Sequence, residues 1–152
     1  MILSGIYENT IDTKNRVVVP QELRSQVVNE AGEVWLTYSP DSCIRIYSVE
    51  AYEKLLMSIH QAQVEKQDTR VLQHIFIKAA RKAVLDSGGR VFLPQEMRSW
   101  AKIPDTAEGK IETAVVGNDD HLEIWLKSEF DATFAMFTPE MGFAALQSIG
   151  FS

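Results

Sequence analysis

Short runs of β-branched and aromatic residues punctuate this chain, and each stops at a turn signal or a proline. Val17-Val18-Val19 stops at Pro20, and Val91-Phe92-Leu93 stops at Pro94. Such runs predict strands. Residues 6–11 and 84–85 predict short strands ahead of them, and residues 34–38, 44–47, 111–116 and 122–126 predict more. The prolines suit the start of a helix, so residues 21–28 and 95–101 are expected to be helical. Amphipathic stretches follow at 49–59 and 128–137. Between them, Val71, Leu72, Ile75, Phe76 and Ala79 recur at helical spacing, which predicts a connecting helix over 68–80. Residues 128–149 read as two helical pieces broken near Thr138-Pro139.

The pattern is duplicated. Residues 12–25 read DTKNRVVVPQELRS and residues 86–99 read DSGGRVFLPQEMRS. Eight of the fourteen positions are identical, without a gap. Further on, Cys43-Ile44-Arg45-Ile46-Tyr47 aligns with His121-Leu122-Glu123-Ile124-Trp125, the offset having grown from 74 to 78. The chain is therefore two copies of a unit of roughly 70 residues. The expected organisation is a first repeat over 5–60, a linking helix over 61–80, a second repeat over 81–137 and a C-terminal tail over 138–152. Duplicated units are expected to pack about a pseudo-two-fold axis, as a homodimer would.

Each copy carries Asp, three intervening residues, then Arg: Asp12 with Arg16, and Asp86 with Arg90. Thr13-Lys14-Asn15 and Ser87-Gly88-Gly89 fill the gaps. A three-residue hairpin loop wants a left-handed last residue, and Asn15 and Gly89 occupy that place. The aspartates are read mainly as turn clamps, accepting from loop amides and pairing with the arginine. The cations carry the functional reading. Lys14, Arg16 and Arg24 in the first copy are candidate nucleic-acid contacts, as are Arg81, Lys82, Arg90 and Arg98 in the second. Arginine can grip a guanine edge or a phosphate bidentately, and a two-stranded ribbon fits the major groove. The first loop holds Lys14 where the second holds Gly88. The first turn is thus expected to contribute more to base contact, and the second mainly to phosphate contact or packing.

Bulk composition at first argues the other way. The 152 residues carry 15 Lys+Arg against 21 Asp+Glu, a net charge of -6. Nucleic-acid-binding domains usually carry an excess of positive charge. The charge is unevenly placed, however. Residues 10–25 sum to +1, residues 78–98 to +3 and residues 103–152 to -7. An acidic body leaves the basic turns as the face able to approach DNA. One cysteine excludes an internal disulfide, and no metal-ligand spacing, phosphate loop or nucleophile elbow is present. Met1 to Glu8 does not read as a signal peptide, and no span is long enough for a bilayer. An enzyme is therefore not expected. Trp35, Tyr38, Tyr47, Trp100 and Trp125 read as core or subunit contacts, Cys43 as a packed residue, His121 as a loop residue and Asp119-Asp120 as a turn.

Residues 7–16 (YENTIDTKNR), 86–90 (DSGGR) and 117–125 (GNDDHLEIW) together resemble the MraZ family of bacterial transcriptional regulators, in the expected order. The likeness spans Gly5 to about Phe130. It implies an α+β fold of two pseudo-symmetric AbrB-like swapped-hairpin β-barrel halves with short helices, joined by a helix. It implies a DNA-binding repressor of short repeated promoter boxes upstream of the division and cell-wall gene cluster, its own gene included. The implied partners are double-stranded DNA and further copies of the chain in a ring. No cofactor, membrane or small-molecule substrate is implied, and the implied place is the cytoplasm, at the nucleoid. The family's Asp and Arg map onto Asp12, Arg16, Asp86 and Arg90. Where its first loop usually reads A-K-G, this chain keeps Lys14 and has Asn15 for the glycine. The alternative reading is an oligomeric scaffold for a basic protein partner.

Overall fold

A computed structural model describes residues 2–105 and 110–151. Met1 and Ser152, the ends of the leader reading and of the tail, lie outside the described residues. The first repeat contains β1 (Leu3–Ile11), β2 (Arg16–Val18), α1 (Gln21–Val27), β3 (Glu33–Tyr38), β4 (Ile44–Tyr47) and α2 (Val49–Gln61). The second contains β5 (Arg81–Val84), β6 (Arg90–Phe92), α4 (Gln95–Trp100), β7 (Ile111–Asp119), β8 (His121–Leu126) and α5 (Lys127–Phe134). Between them lies α3 (Lys66–Gln73), which passes into a π-helical turn over His74–Lys78. The tail forms α6 (Pro139–Ser148). The fold is mixed α+β, and its sheets are antiparallel.

Local chemistry explains the helix starts. Pro20 and Pro94 stand just before α1 and α4 with φ of -53° and -59°. Proline is held near that angle by its ring, so the chain enters each helix preset. Ser48 caps α2 by accepting from the Ala51 amide, and Thr138 caps α6 by accepting from the Met141 amide. A side-chain oxygen at that position satisfies an amide that the helix itself leaves open.

The two repeats do not fold side by side. The main sheet runs β1-β7-β8-β4-β3-β5. β1, from the first repeat, pairs with β7 over all nine of its residues, and β5, from the second, pairs with β3. Exchanging each element for its repeat counterpart reverses this order onto itself, so a pseudo-two-fold axis passes between β4 and β8. Arg45 lies opposite Glu123 there. A second sheet is β2 against β6 alone, with Val17 opposite Val91 on the same axis. The sequence predicts a hairpin at each D-x-x-x-R turn. The turns do form, but the strands on either side pair with the other repeat. β1 and β5, which enter the turns, gain the longer partners β7 and β3, and β2 and β6, which leave them, pair with each other.

Val17, Val19, Val91 and Leu93 point inward from the small sheet and are fully buried. They pack with Leu23, Val27 and Met97 of the helices and with Leu36, Ile44, Ile46, Val115, Leu122 and Ile124 of the main sheet. One core thus takes side chains from both repeats.

His121 is the first residue of β8 and is buried, since the turn before it is short. Its ring nitrogens face Asp120 Oδ1 at 2.7 Å and Glu123 Oε2 at 3.1 Å. Asn118 Nδ2 and Trp125 Nε1 also donate to Glu123, at 3.0 and 2.9 Å. Burial pushes the Glu123 carboxyl up, but the bonds from His121, Asn118 and Trp125 outweigh it and hold the pKa at about 2. Folding lowers this pKa from the usual 4.5, so the ionised form stabilises the fold above that value. That contribution is lost as pH falls from about 4.5 towards 2. Urea unfolding should show a loss on the order of 3 kcal/mol across that window, and Glu123→Gln should remove most of it. A variant with the wild-type acid dependence contradicts this assignment.

Candidate nucleic-acid interface

Each D-x-x-x-R turn is built by its aspartate. Asp12 Oδ1 accepts from the amides of Lys14 and Arg16, both at 2.9 Å, and Asp12 Oδ2 accepts from Arg16 Nε at 2.9 Å. Asp86 repeats the pattern with the amides of Gly88 and Arg90, at 3.0 and 2.9 Å, and with Arg90 Nε at 2.9 Å. The last loop residues are left-handed as expected, Asn15 at φ 61° and Gly89 at φ 75°. Burial opposes ionisation of Asp12, but the amides of Arg16 and Lys14 and the Arg16 guanidinium together lower its pKa. Asp86 is likewise lowered, first by the Arg90 amide. Both clamps therefore stay charged at neutral pH.

The turns are tied to one another. Val19 N donates to Gly89 O and Leu93 N donates to Asn15 O, each at 2.9 Å. Arg16 Nη1 also reaches across to Asp86 Oδ2 at 3.2 Å. Asp86 thus takes two arginines while Asp12 takes Arg16. Arg16 keeps Nη2 outside these bonds, and Arg90 keeps both Nη atoms outside them. The Arg90 side chain is 39% exposed against 25% for Arg16. Lys14 stands exposed at the first turn and is in no salt bridge among the described residues.

The other four predicted cations are placed differently. Arg24 donates through Nε and Nη2 to Val19 O, at 3.3 and 2.9 Å, and lies over Gly89. A Cβ on Gly89 would overlap the Arg24 guanidinium, which would have to swing aside, and the φ of 75° is what favours glycine there. Arg98 is buried, donating Nε to Leu93 O at 2.9 Å and Nη1 to Asp105 Oδ1 at 3.2 Å. Its charge is turned into the protein to satisfy a strand-end carbonyl. Arg81 and Lys82 lie on β5 at the edge of the main sheet. Arg81 pairs with Glu96 at 2.6 Å, and Lys82 pairs with Glu33 at 3.1 Å and lies 6.0 Å from the Trp35 ring centroid. The seven cations therefore do not form one cluster. The structure brings Arg16 and Arg90 together, with Lys14 and Arg24 at the turns beside them.

The outward face of β2 and β6 alternates Arg16 opposite Phe92 with Val18 opposite Arg90. Phe92 is 52% exposed there. Sequence reading of residues 91–93 as an apolar strand missed it. The signal was the alternation itself, because residues 90 and 92 must face away from 91 and 93. Of the aromatics read as core, Trp125 is buried against Phe130 and Phe134, whereas Trp100 remains 44% exposed with its Nε1 donating to Ser39 O. Cys43 is buried, which pushes its thiol up to about 12 and leaves it unreactive.

Gly89→Ala should cost about 1–3 kcal/mol in urea unfolding, since alanine resists the left-handed angle and displaces Arg24. Ser87→Ala, at an exposed position of the same turn, should cost little. Equal losses would contradict the assignment.

Comparison with known proteins places this architecture. The family model described as "MraZ protein, putative antitoxin-like" matches the chain twice, over residues 2–75 and 76–148. A "Transcriptional regulator MraZ" of Thermoanaerobacter sp. is 30% identical over 131 residues, covering 86% of this chain and 85% of its own. Proteins of the same name from Finegoldia magna and Roseiflexus sp. are 28% and 29% identical over 125 and 144 residues. These matches cover 82% and 90% of this chain, and 81% and 94% of theirs. The family model matches the chain twice, end to end, and the chain belongs to the MraZ family.

Proposed function

We propose that this protein is a DNA-binding transcriptional regulator whose two D-x-x-x-R turns, carried on the β2–β6 ribbon, contact double-stranded DNA. The observation that carries this reading is the gathering of Arg16 and Arg90 at Asp86, with the Nη atoms of Arg90 in no hydrogen bond among the described residues and so open to an outside acceptor. Clamped guanidinium groups lose little freedom on meeting a phosphate or a guanine edge. Lys14 adds a point charge at one turn, and Arg24 braces the other. Arg81 and Lys82 already have acidic partners and make at most backbone contacts, and Arg98 serves the fold. The relatives' shared name, transcriptional regulator, supports the same reading.

In its finer form the proposal is a repressor acting on short repeated boxes upstream of the division and cell-wall gene cluster, including its own gene. Copies of the chain assemble as a ring, and the setting is the cytoplasm at the nucleoid. The exchanged β strands and paired turns fit an AbrB-like swapped-hairpin arrangement. Repeated boxes would match repeated turns, so that each subunit's few cations act at high effective concentration. No helix among the described residues is long and apolar enough to cross a membrane.

Fluorescence anisotropy with a duplex from the protein's own upstream region tests this. Affinity should fall steeply with salt as counterions are released. Arg90→Ala should cost about 1–3 kcal/mol of binding. Lys14→Ala should lower the salt slope by about one. Arg81→Ala should change little. A flat salt response, or Arg81→Ala as damaging as Arg90→Ala, overturns the reading.

A further inference from the structure

The end of β1 and β7 remote from the turns forms a groove of about 640 Å³ against α5. Ile6, Val116, Phe130, Phe134 and Phe137 line it, and Gly5 and Gly117 face one another in register on its strands. A Cβ on Gly117 would strike the Ser4 backbone amide, so that strand pair stays bare and its surface open to close approach. Ile6 is 64% exposed.

The pseudo-two-fold axis supplies a comparison within the chain. β1, β7 and α5 correspond to β5, β3 and α2. In that first-repeat counterpart the surface is closed by the segment between the repeats. Tyr52 of α2 stacks on Trp35 with centroids 5.1 Å apart and donates its hydroxyl to Phe76 O of the π-helical turn at 2.6 Å. Tyr52 and Ala80 are buried there. The α5 groove has no such cover among the described residues.

Its cover is present elsewhere in the chain. Every residue of α6 is exposed, and so are Met136, Phe137, Ile149 and Phe151 beside it. Residues 138–152 carry a single charge, Glu140. A helix that is apolar nearly all round belongs in a buried setting. Phe143 and Phe151 at roughly 150–250 Å² each, with Met141, Leu146 and Ile149, and an equal area lost from the groove, bring one contact to the order of 1,000 Å². That is the size a specific protein interface needs. The helix side brings one charge, Glu140. The two carboxylates that line the groove are already engaged, Glu123 by His121, Asn118 and Trp125 and Asp131 by Lys127, so docking strips no unpaired charge of its water. Since α6 is exposed along its whole length, it does not lie in its own groove.

We propose that α6 of one copy docks in the α5 groove of a second copy of this chain. The contact is heterologous, helix to groove, and such contacts repeat around a ring when the rotation closes. The inference deepens the assembly proposed above and rests on it only for the presence of more than one copy. The turns at the other end of β1 take no part.

The test uses the full chain with two single variants at exposed positions, Phe143→Glu on the helix and Ile6→Glu in the groove. Light scattering after size exclusion should show the wild type as an oligomer and each variant as a smaller species with unchanged far-UV circular dichroism. Chains carrying Ile6→Cys, mixed with chains carrying Phe143→Cys, should oxidise to a cross-linked pair, with Cys43 too buried to compete. A monomeric wild type overturns both this inference and the ring. An oligomer that neither variant reduces overturns the inference and leaves the ring standing. A disulfide that forms only within a chain carrying both cysteines places α6 in its own groove and overturns the docking between copies. A short duplex holding one box separates these results from DNA recognition, because both Glu variants should still bind it with wild-type salt dependence.

Discussion

The antiparallel pairing of β2 with β6, Val17 against Val91, is the constraint on which the rest of the molecule depends. Each of these strands is three residues long and comes from a different repeat. Neither could persist alone, since isolated short ribbons are marginal in water. Together with Val19 and Leu93, which follow them, they place four apolar side chains over the core and leave two arginines facing out. The same exchange gives β1 to β7 and β5 to β3, so each repeat completes the sheet of the other. Duplication of one sequence unit has here produced a single core.

Charge follows from this arrangement. Asp86 meets arginines from both repeats only because the two turns are brought together by the exchanged strands. An ion pair at a protein surface contributes little stability by itself. Its effect here is positional: carboxylates held ionised by backbone amides fix the guanidinium groups in place. The net charge of -6 therefore says little about the partner. All of it lies after residue 103, the residues before summing to +1, and the cations that matter are few and localised.

Much of the local structure could be read directly from the residues. Asn15 and Gly89 are residues that tolerate the left-handed turn, and Pro20 and Pro94 mark the helix starts. The break at Thr138-Pro139 also stands, with Thr138 as the cap of α6. The pairings were hidden because they join residues far apart, such as Leu3 with Asp119, and periodicity carries no information about partners. Arg98 resembled Arg24 in sequence. Its burial is set by the Leu93 carbonyl and by Asp105, which lies beyond the repeated segment. His121 looked like a loop residue because the Asp119-Asp120 pair suggested a longer turn than the one that forms. Its partner Glu123 is a charged residue in a central strand, a place that composition alone argues against.

Native-state hydrogen exchange tests the exchanged architecture most directly. If the two repeats share one core, amides in β1–β7, β3–β5 and β2–β6 should open together, at the free energy of global unfolding. Opening of the first repeat's strands at a distinctly lower free energy than those of the second would contradict it, and would show two units that fold separately.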